Sequence, residues 1–359
     1  MGQSVTMQHI AERAGCSRMT VSRALRNAPR IAESTRKHIH DVAALLGYHP
    51  DPLIRRLTSH LADRHRRNDG KVIAWINSFP ERKPWGGQIP FISMYQGAAN
   101  RAQQLGYKLE EFWLREPGMT GKKLSRILYQ RGIECLILAP IPRAGGHLTM
   151  DWEKFSTVTT CQAMAFPRLH RVTCHHLHAA RDAIRQLYRQ GYRRIGLCLS
   201  VDSNLRNDHS PLESLAYHQL RIPQINWVKP LVQTGFSEKA LLNWLESECP
   251  DVILSHYAWL QEILIKAGYR VPEDIALALS DLENAKPDTA GINQRYATIG
   301  ETASDLVIGQ HYRNEKGIPA LPHTIMIDGC WVDGSTAPKN CRENSIGASQ
   351  MPRLANHRS

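Results

Sequence analysis

Two short helices separated by a tight turn near the N-terminus constrain this chain more than any other feature of its sequence. Thr6 can cap the first helix, and Gly15 can end it in the left-handed conformation that glycine tolerates. Ser17 can cap the second helix, which we expect over about residues 18–26. Two capped helices joined by so short a connection predict a helix-turn-helix.

A third helix is expected over about residues 33–46, where apolar side chains recur at helical spacing. Gly47 and Pro50 end it, and its cap position holds Ala32, whose side chain cannot accept a hydrogen bond from the first free amides. Residues 1–49 are therefore predicted to form an all-α head of three helices.

Residues 50–67 form a segment of a different kind. Leu53, Ile54, Leu57 and Leu61 recur at helical spacing among five arginines. A helix this short and this basic is not stable alone in water. We expect a hinge helix that forms only against a partner.

From Lys71 onwards, apolar strand candidates alternate with helical stretches. The strand candidates are residues 72–76, 109–113, 135–139, 195–199, 252–254 and 275–279. The helical stretches include residues 94–105, 122–130, 179–190, 239–246 and 260–267. This alternation predicts parallel sheets covered by helices, and its length suits two α/β lobes with a cleft between them. The predicted two-lobed domain spans residues 68–338, and a basic, disordered tail is expected over residues 339–359.

Positive charge is concentrated at the head. Residues 1–67 contain twelve Lys and Arg against five Asp and Glu, a net +7 of the chain's +12. The tail after residue 338 contributes +3, which leaves about +2 for the long middle of the chain. A basic head on a nearly neutral body favours a polyanionic partner at the head. A solvated basic surface is the alternative.

The sequence lacks the motifs that are typical of membrane proteins, secreted proteins and several enzyme classes. The chain has no apolar run of the roughly 20 residues that a bilayer crossing needs, and its N-terminus does not resemble a secretion signal, so we expect a cytoplasmic protein. The eight cysteines form no CxxC pair. Enzyme motifs of the GxSxG, HExxH and P-loop types are missing, so we do not expect an enzyme or a bound cofactor.

The motifs IAERAGCS, TVSRAL, ESTR and LGYHPDP stand in that order at the N-terminal end. In this combination the sequence closely resembles the head and hinge of the lactose-repressor (LacI) family of bacterial regulators. GYRRIGL, VPEDIALALSDLE and AGINQ resemble the family more loosely, and the resemblance covers about residues 5–336. It implies a helix-turn-helix head joined to a two-lobed sensor with the fold of periplasmic sugar-binding proteins. It also implies a homodimer on a palindromic DNA operator, controlled by a small effector, with repression as the usual outcome.

The resemblance implies that the N-terminal turn of the second helix faces base edges in the major groove. Arg18 and Met19 match the family positions that vary with operator sequence. Arg18 can contact guanine O6 and N7, and Met19 can contact a thymine methyl group. The alternative is a core position for Met19 and a solvated Arg18. The full set of expected DNA contacts is Thr6, Ser17, Arg18, Met19, Thr20, Ser22, Arg23, Arg26, Arg30, Arg55, Arg56 and Leu57.

Within that set, Arg26 stands where the family commonly has Asn, and we expect Arg26 and Arg30 to contact phosphate. Leu57 matches the family leucine that wedges into the minor groove at the operator centre, where an inserted apolar side chain kinks the duplex. The alternative for Leu57 is a helix–helix contact, and paired hinges allow both.

Ligand clefts of this architecture lie at the carboxyl ends of the strands. The expected effector contacts are Phe91, Arg206, Phe236, His256 and Asp281. An arginine and an aspartate facing one cleft can hold a polyhydroxylated ligand by charge-assisted hydrogen bonds. A sugar is the first expectation and a nucleoside the second, and each residue has a structural role as its alternative.

Two departures from the family weaken the inference of a sugar. His256-Tyr257 and the run from Cys174 to His176 replace pairs that often carry Asn and Asp in the family. The cleft therefore holds an unusual ligand or has lost its ligand. On a strand, Cys174, His176 and His178 would share one side, as zinc ligands could, but no distant partner is visible and no metal is predicted. A ligand-binding transport protein of the same fold is the remaining alternative, which the attached head argues against.

Overall fold

The computed structural model describes residues 5–25, 31–48, 71–82, 89–221 and 227–339. Two compact units account for the chain. Unit 1 comprises Met1–Thr173 and Tyr296–Ile325, and unit 2 comprises Cys174–Arg295 and Met326–Ser359. Each unit is therefore assembled from separate stretches of sequence. The predicted hinge over residues 50–67 and the predicted tail from residue 340 onwards lie outside the described residues.

The head consists of α1 (Met7–Ala14), α2 (Arg18–Leu25) and α3 (Glu33–Leu45). Gly15 ends α1 in the left-handed conformation with φ 62° and ψ 33°, as its sequence position predicts. Ala32 stands at the start of α3 without a side-chain cap. The three helices bury one small apolar core, formed by Ile10, Ala11, Val21, Ala24, Ile39, Val42 and Ala43.

Unit 1 contains a six-stranded sheet with the order β13-β7-β5-β3-β1-β2. Its strands are β1 (Lys71–Asn77), β2 (Tyr107–Trp113), β3 (Cys135–Leu138), β5 (Ser156–Thr159), β7 (His170–Cys174) and β13 (Thr324–Ile327). The short strands β4 (Gly146–His147) and β6 (Met164–Phe166) pair separately. Besides the three head helices, this unit contains α4 (Ile89–Gln104), α5 (Gly121–Gln130) and α11 (Tyr296–Tyr312), with a 3-10 turn over Trp152–Lys154.

Unit 2 contains a second six-stranded sheet with the order β14-β12-β11-β10-β8-β9. Its strands are β8 (Ile195–Ser200), β9 (Leu231–Gln233), β10 (Val252–Ser255), β11 (Ala276–Leu279), β12 (Ala290–Asn293) and β14 (Cys330–Val332). Only the edge strand β14 runs antiparallel to its neighbour. The helices are α6 (His176–Arg189), α7 (Val201–Arg206), α8 (Ser210–Arg221), α9 (Glu238–Glu248) and α10 (Leu260–Lys266).

The predicted strands and helices of the α/β region are present, with boundaries that differ by a few residues. The strand considered for residues 174–178 is wrong, because β7 ends at Cys174 and α6 begins at His176. His175 and His178 consequently lie one helical turn apart instead of on opposite faces of a strand.

A close contact between α4 and α11 depends on two glycines. A Cβ atom at Gly97 of α4 would stand 2.1 Å from the carbonyl oxygen of Ala297 in α11. A Cβ atom at Gly300 of α11 would stand 1.9 Å from the carbonyl oxygen of Met94. Ser304 adds a hydrogen bond from its hydroxyl to the Ala98 carbonyl at 3.0 Å. The two backbones therefore approach too closely for any other residue at these positions. None of the described helices is both long and apolar enough to cross a membrane.

Candidate DNA-binding surface and effector site

The first turn of α2 is organised by its cap. Ser17 Oγ accepts a hydrogen bond from the Thr20 amide at 3.1 Å and lies 2.8 Å from the Thr20 hydroxyl. This cap is the one that the sequence predicts. It holds Thr20 against Ser17, so Arg18 and Met19 are the residues of this turn that project into solvent.

Exposure decides between the two interpretations of Met19. Its side chain is 63% exposed, whereas Val21 and Ala24 of the same helix are fully buried. A core position for Met19 is therefore excluded, and an exposed methionine beside exposed arginines makes a surface with both apolar and cationic groups. Arg18 and Arg23 are exposed on this helix.

The other expected contacts of the head are only partly within the described chain. Thr6 is exposed at the start of α1, where its amide donates a hydrogen bond to His9 Nδ1 at 3.2 Å. Ser22 is half-buried on α2. Five expected contacts lie outside the described residues, namely Arg26, Arg30, Arg55, Arg56 and Leu57.

In unit 2, four of the expected effector residues follow neighbouring parallel strands. Phe236 follows β9, Arg206 lies in α7 after β8, His256 follows β10, and Asp281 follows β11. The carboxyl ends of parallel strands meet at one edge of a sheet, so the fold brings these four residues to the same edge. Phe91 belongs to unit 1, where it is buried and packs on Phe79 with ring centroids 5.0 Å apart.

The histidine at this edge is neutral at physiological pH. Burial, with the nearby positive charge of Arg206 as a second cause, lowers the pKa of His256 to about 4. The same two causes, with His175 as a smaller third, lower the pKa of His176 to about 4. His256 Nε2 lies 3.4 Å from the hydroxyl of Ser200 at the end of β8. Arg206 therefore shares this edge with neutral imidazoles that can donate and accept hydrogen bonds.

Three aromatic rings form a cluster beside His256. Phe236 and Trp259 meet edge-on with centroids 4.4 Å apart, and Tyr257 lies 4.6 Å from Trp259. The ring of His256 lies 3.9 Å from that of Tyr257. Trp259 is 39% exposed, so the cluster presents an aromatic surface to solvent. Trp259 is not among the residues expected from the sequence.

Of the five buried side-chain polar atoms of unit 2 that have no hydrogen-bond partner within the described chain, three belong to residues that follow strands of the sheet. These three atoms are Asn204 Oδ1, His256 Nδ1 and Gln294 Oε1. Each belongs to a residue that follows a strand of the sheet, and Gln294 also donates from Nε2 to the Ser280 carbonyl at 2.7 Å. Buried polar atoms are normally satisfied, so unpaired ones at one sheet edge point to water or a ligand. Asn204 was missed because an asparagine inside a helix gives no sequence signal, whereas Gln294 ends the AGINQ motif.

The two charged residues expected to share a ligand each have a protein partner. The guanidinium of Arg206 lies 3.8 Å from the Asp202 carboxylate, one helical turn earlier. Asp281 Oδ1 accepts a hydrogen bond from the Glu283 amide at 3.0 Å. These contacts hold the side chains of Arg206 and Asp281 at the sheet edge.

The head matches a known family. The profile described as "Bacterial regulatory proteins, lacI family" matches residues 6–51. The HTH-type transcriptional repressor CytR of Escherichia coli (strain K12) is 28% identical over 327 residues, which cover 86% of this chain and 90% of that protein. Residues 6–51 of this chain form a LacI-family domain, and over most of its length the chain is similar to the repressor CytR.

Further comparisons extend the similarity beyond the head. The uncharacterized HTH-type transcriptional regulator YkvZ of Bacillus subtilis (strain 168) is 27% identical over 205 residues, 56% of this chain and 58% of that protein. The fold matches the CelR–cellobiose complex, with TM-score 0.56 and 17% identity over 92% of this chain and 99% of that one. It also matches the lac repressor dimer bound to operator and the anti-inducer ONPF, with TM-score 0.52 and 18% identity over 94% of this chain and all of that one.

The LacI-family resemblance inferred from the head motifs is confirmed, as is the fold class of a helix-turn-helix head with an α/β sensor. The chain is a DNA-binding transcriptional regulator and not an enzyme, in agreement with the relatives that it matches. A transport protein of the same fold would not account for the match over residues 6–51.

Proposed function

We propose that this LacI-family regulator is a cytoplasmic repressor that binds a palindromic operator as a homodimer, under control of a small polar metabolite. The observation that carries the DNA-binding part is the exposed first turn of α2, where Arg18 and Met19 project beside the Ser17 cap. The relative CytR is named as a repressor, which supports the direction of control.

The head residues expected to contact DNA divide into two groups by chemistry. Arg18 reads a guanine and Met19 contacts a thymine methyl group, with Arg23 as a second base contact. Thr6, Ser17, Thr20 and Ser22 present hydroxyl groups that suit phosphate, and so do the cations Arg26 and Arg30. Base contacts set which operator is chosen, and phosphate contacts set how tightly any DNA is held.

The hinge supplies a second way of reading DNA. Arg55 and Arg56 bind the backbone, while Leu57 wedges between base pairs of the minor groove and kinks the duplex. Such a wedge needs the hinge to fold on the correct site. Replacing Leu57 by Gly is therefore expected to weaken operator binding far more than binding to random DNA. Equal losses on the two DNAs would leave Leu57 a scaffold residue only.

For the effector, we propose the carboxyl edge of the unit 2 sheet as the binding surface. Arg206, Asp281 and the neutral His256 offer hydrogen bonds, and the rings of Phe236 and Trp259 offer a stacking surface. The unpaired atoms of Asn204, His256 and Gln294 are the observation that carries this part. A sugar fits this mixture of aromatic faces and polar groups best, and a nucleoside is the second candidate.

A thermal-shift screen of sugars and nucleosides, followed by operator titration with each hit, tests the effector proposal. We expect a hit to raise the melting temperature and to change DNA affinity, since a ligand shifts the protein only by binding one state better. The Arg206→Ala, Asp281→Ala double variant should lose the shift. Arg270→Ala is the matched control, because Arg270 pairs with Asp274 on the surface of the same unit.

Two results would contradict the effector proposal. A hit that stabilised the double variant and the wild type equally would move the site elsewhere. If no metabolite changed either melting or DNA affinity, the cleft would be a degenerate one, as the replacement of the family residues at His256-Tyr257 and His175-His176 suggests.

A further inference from the structure

Two histidines and one aspartate meet where separate chain segments enter unit 2. The chain passes into this unit after Thr173 and again after Ile325. His175 follows the first crossing and Asp328 follows the second. The amide of His175 donates a hydrogen bond to the Ile327 carbonyl at 2.9 Å, which holds the two segments side by side. The sequence alone cannot show this meeting, because 153 positions separate His175 from Asp328.

The three side chains have the geometry of a metal-ligand set. His175 Nδ1 lies 2.8 Å and His178 Nδ1 lies 3.1 Å from the same carboxylate oxygen, Oδ1 of Asp328. The three ligand atoms all lie within 4.8 Å of one another. Ligand atoms on a tetrahedral ion with bonds of about 2.0–2.1 Å stand roughly 3.3 Å apart, so only small side-chain rotations would be needed.

A fourth residue supplies an independent observation. His178 Nε2, the ring nitrogen that faces away from Asp328, lies 3.6 Å from the carboxylate of Asp182. Asp182 is itself held by Arg185, whose guanidinium lies 3.0 Å from Asp182 Oδ1. Histidines that bind metals commonly direct their second ring nitrogen at a carboxylate, which orients the ring and strengthens it as a ligand. Nδ1 of His178 thus faces Asp328, and Nε2 faces the carboxylate of Asp182, which can orient the ring.

The negative charge of Asp328 and the solvent exposure of the three side chains favour binding of a cation at this site. An ionised carboxylate only accepts, so both Nδ1 atoms must donate hydrogens to the single oxygen of Asp328. A dication bound by both Nδ1 atoms and Oδ1 would satisfy all three groups, and each Nδ1 proton would move to Nε2 of the same ring or leave to water. The side chains of His175, His178 and Asp328 are 36%, 42% and 58% exposed, so an ion can enter and water can complete its coordination.

We propose that His175, His178 and Asp328 bind one transition-metal dication of the zinc class and so cross-link the two chain segments. Two imidazoles and one carboxylate suit Zn²⁺, Ni²⁺ or Co²⁺ better than Mg²⁺ or Ca²⁺, which prefer all-oxygen sites. Asp182 is a positioning residue for His178.

Calorimetric titration of the chelator-treated, full-length protein with Zn²⁺ tests this proposal. We expect one saturable equivalent per chain, and a rise in melting temperature as Zn²⁺ is added. His178→Ala and Asp328→Asn should remove that saturable binding. Asp182→Asn should weaken it by about 10- to 100-fold, the usual effect of losing a carboxylate behind a ligating histidine.

His323→Ala is the matched control. Its ring lies 4.9 Å from that of His170, so it removes one member of another histidine pair. This variant should bind Zn²⁺ like the wild type. Asp328→Asn keeps the size of the side chain, so circular dichroism can verify that it folds. The visible absorption of bound Co²⁺ gives a second readout. No saturable binding by the wild type, or equal binding by His178→Ala and the wild type, would overturn the proposal.

Discussion

Arg18 is exposed on the first turn of α2, beside the exposed Met19 and the Ser17 cap. We predict that Arg18→Ala relaxes discrimination at one base pair of the operator by about 1–3 kcal/mol, the usual worth of a bidentate contact to guanine. Arg30→Ala should instead weaken all sequences alike and flatten the salt dependence, since phosphate contacts release counterions without reading bases.

Selection from a randomised operator library, repeated with both variants, measures this difference. The recovered motif should lose one position with Arg18→Ala and stay unchanged with Arg30→Ala. An unchanged motif for Arg18→Ala would assign base reading to other residues of α2.

A second residue-scale prediction concerns pH. His256 has a folded pKa of about 4 against an ordinary value of 6.5, because it is buried and lies near Arg206, with Ser200 and Tyr257 as its other neighbours. The folded protein therefore favours the neutral ring. The stability that follows is fully present above pH 6.5 and is lost as the pH falls from 6.5 towards 4. At pH 5 the loss amounts to about 2 kcal/mol.

Urea unfolding of the wild type and His256→Gln at pH 7.5 and pH 5 tests this prediction. The wild type should lose about 2 kcal/mol more than the variant between the two values, because glutamine has no charge to gain. Comparing the two proteins cancels the contribution of the other histidines. Parallel losses would place the imidazole of His256 in water.

At the scale of elements, the contact between α4 and α11 leaves no room for a side chain at Gly97 or Gly300. We predict that Gly97→Ala and Gly300→Ala each destabilise the protein by about 1–3 kcal/mol or more, since the added carbon would overlap a backbone carbonyl. Gly309→Ala on α11 is the control. Its added carbon meets only the end of the flexible Arg313 side chain at 3.2 Å, so the substitution should stabilise by about 0.5–1 kcal/mol.

Free energies of unfolding, measured for the three glycine variants, test whether the α4–α11 contact requires glycine. If Gly97→Ala behaved like Gly309→Ala, the two helices would have room to move apart, and their close approach would not be required for stability.

The elements differ in how far the sequence could predict them. Strands such as β10 are short apolar runs between polar turns. The turn at Gly15 likewise depends only on residues adjacent in sequence, so both features could be predicted. The start of α6 was not, because His175 to His178 carries no apolar periodicity. The approach of Gly97 to Ala297 and the meeting of His175 with Asp328 depend on residues distant in sequence, which no local pattern encodes.

At the scale of the whole molecule, we predict a homodimer that requires both halves of its operator. One head reads too few base pairs for specificity, and two-fold symmetry of the protein should be mirrored in the DNA. Sedimentation at micromolar concentration should give a dimer. A DNA with one half-site scrambled should bind much more weakly than the palindrome. A monomer that bound its operator tightly would contradict this prediction.

Because contacting helices of unit 1 are far apart in sequence, they emerge from the ribosome at different times. Helix α4 is complete at Gln104, but α11, which packs against it, begins only at Tyr296. At about 5–20 residues per second, a nascent chain waits roughly 10–40 s between the two. During that time Gly97, Met94 and Ala98 face water without their partner helix. Unit 1 therefore stays incomplete until synthesis has reached α11.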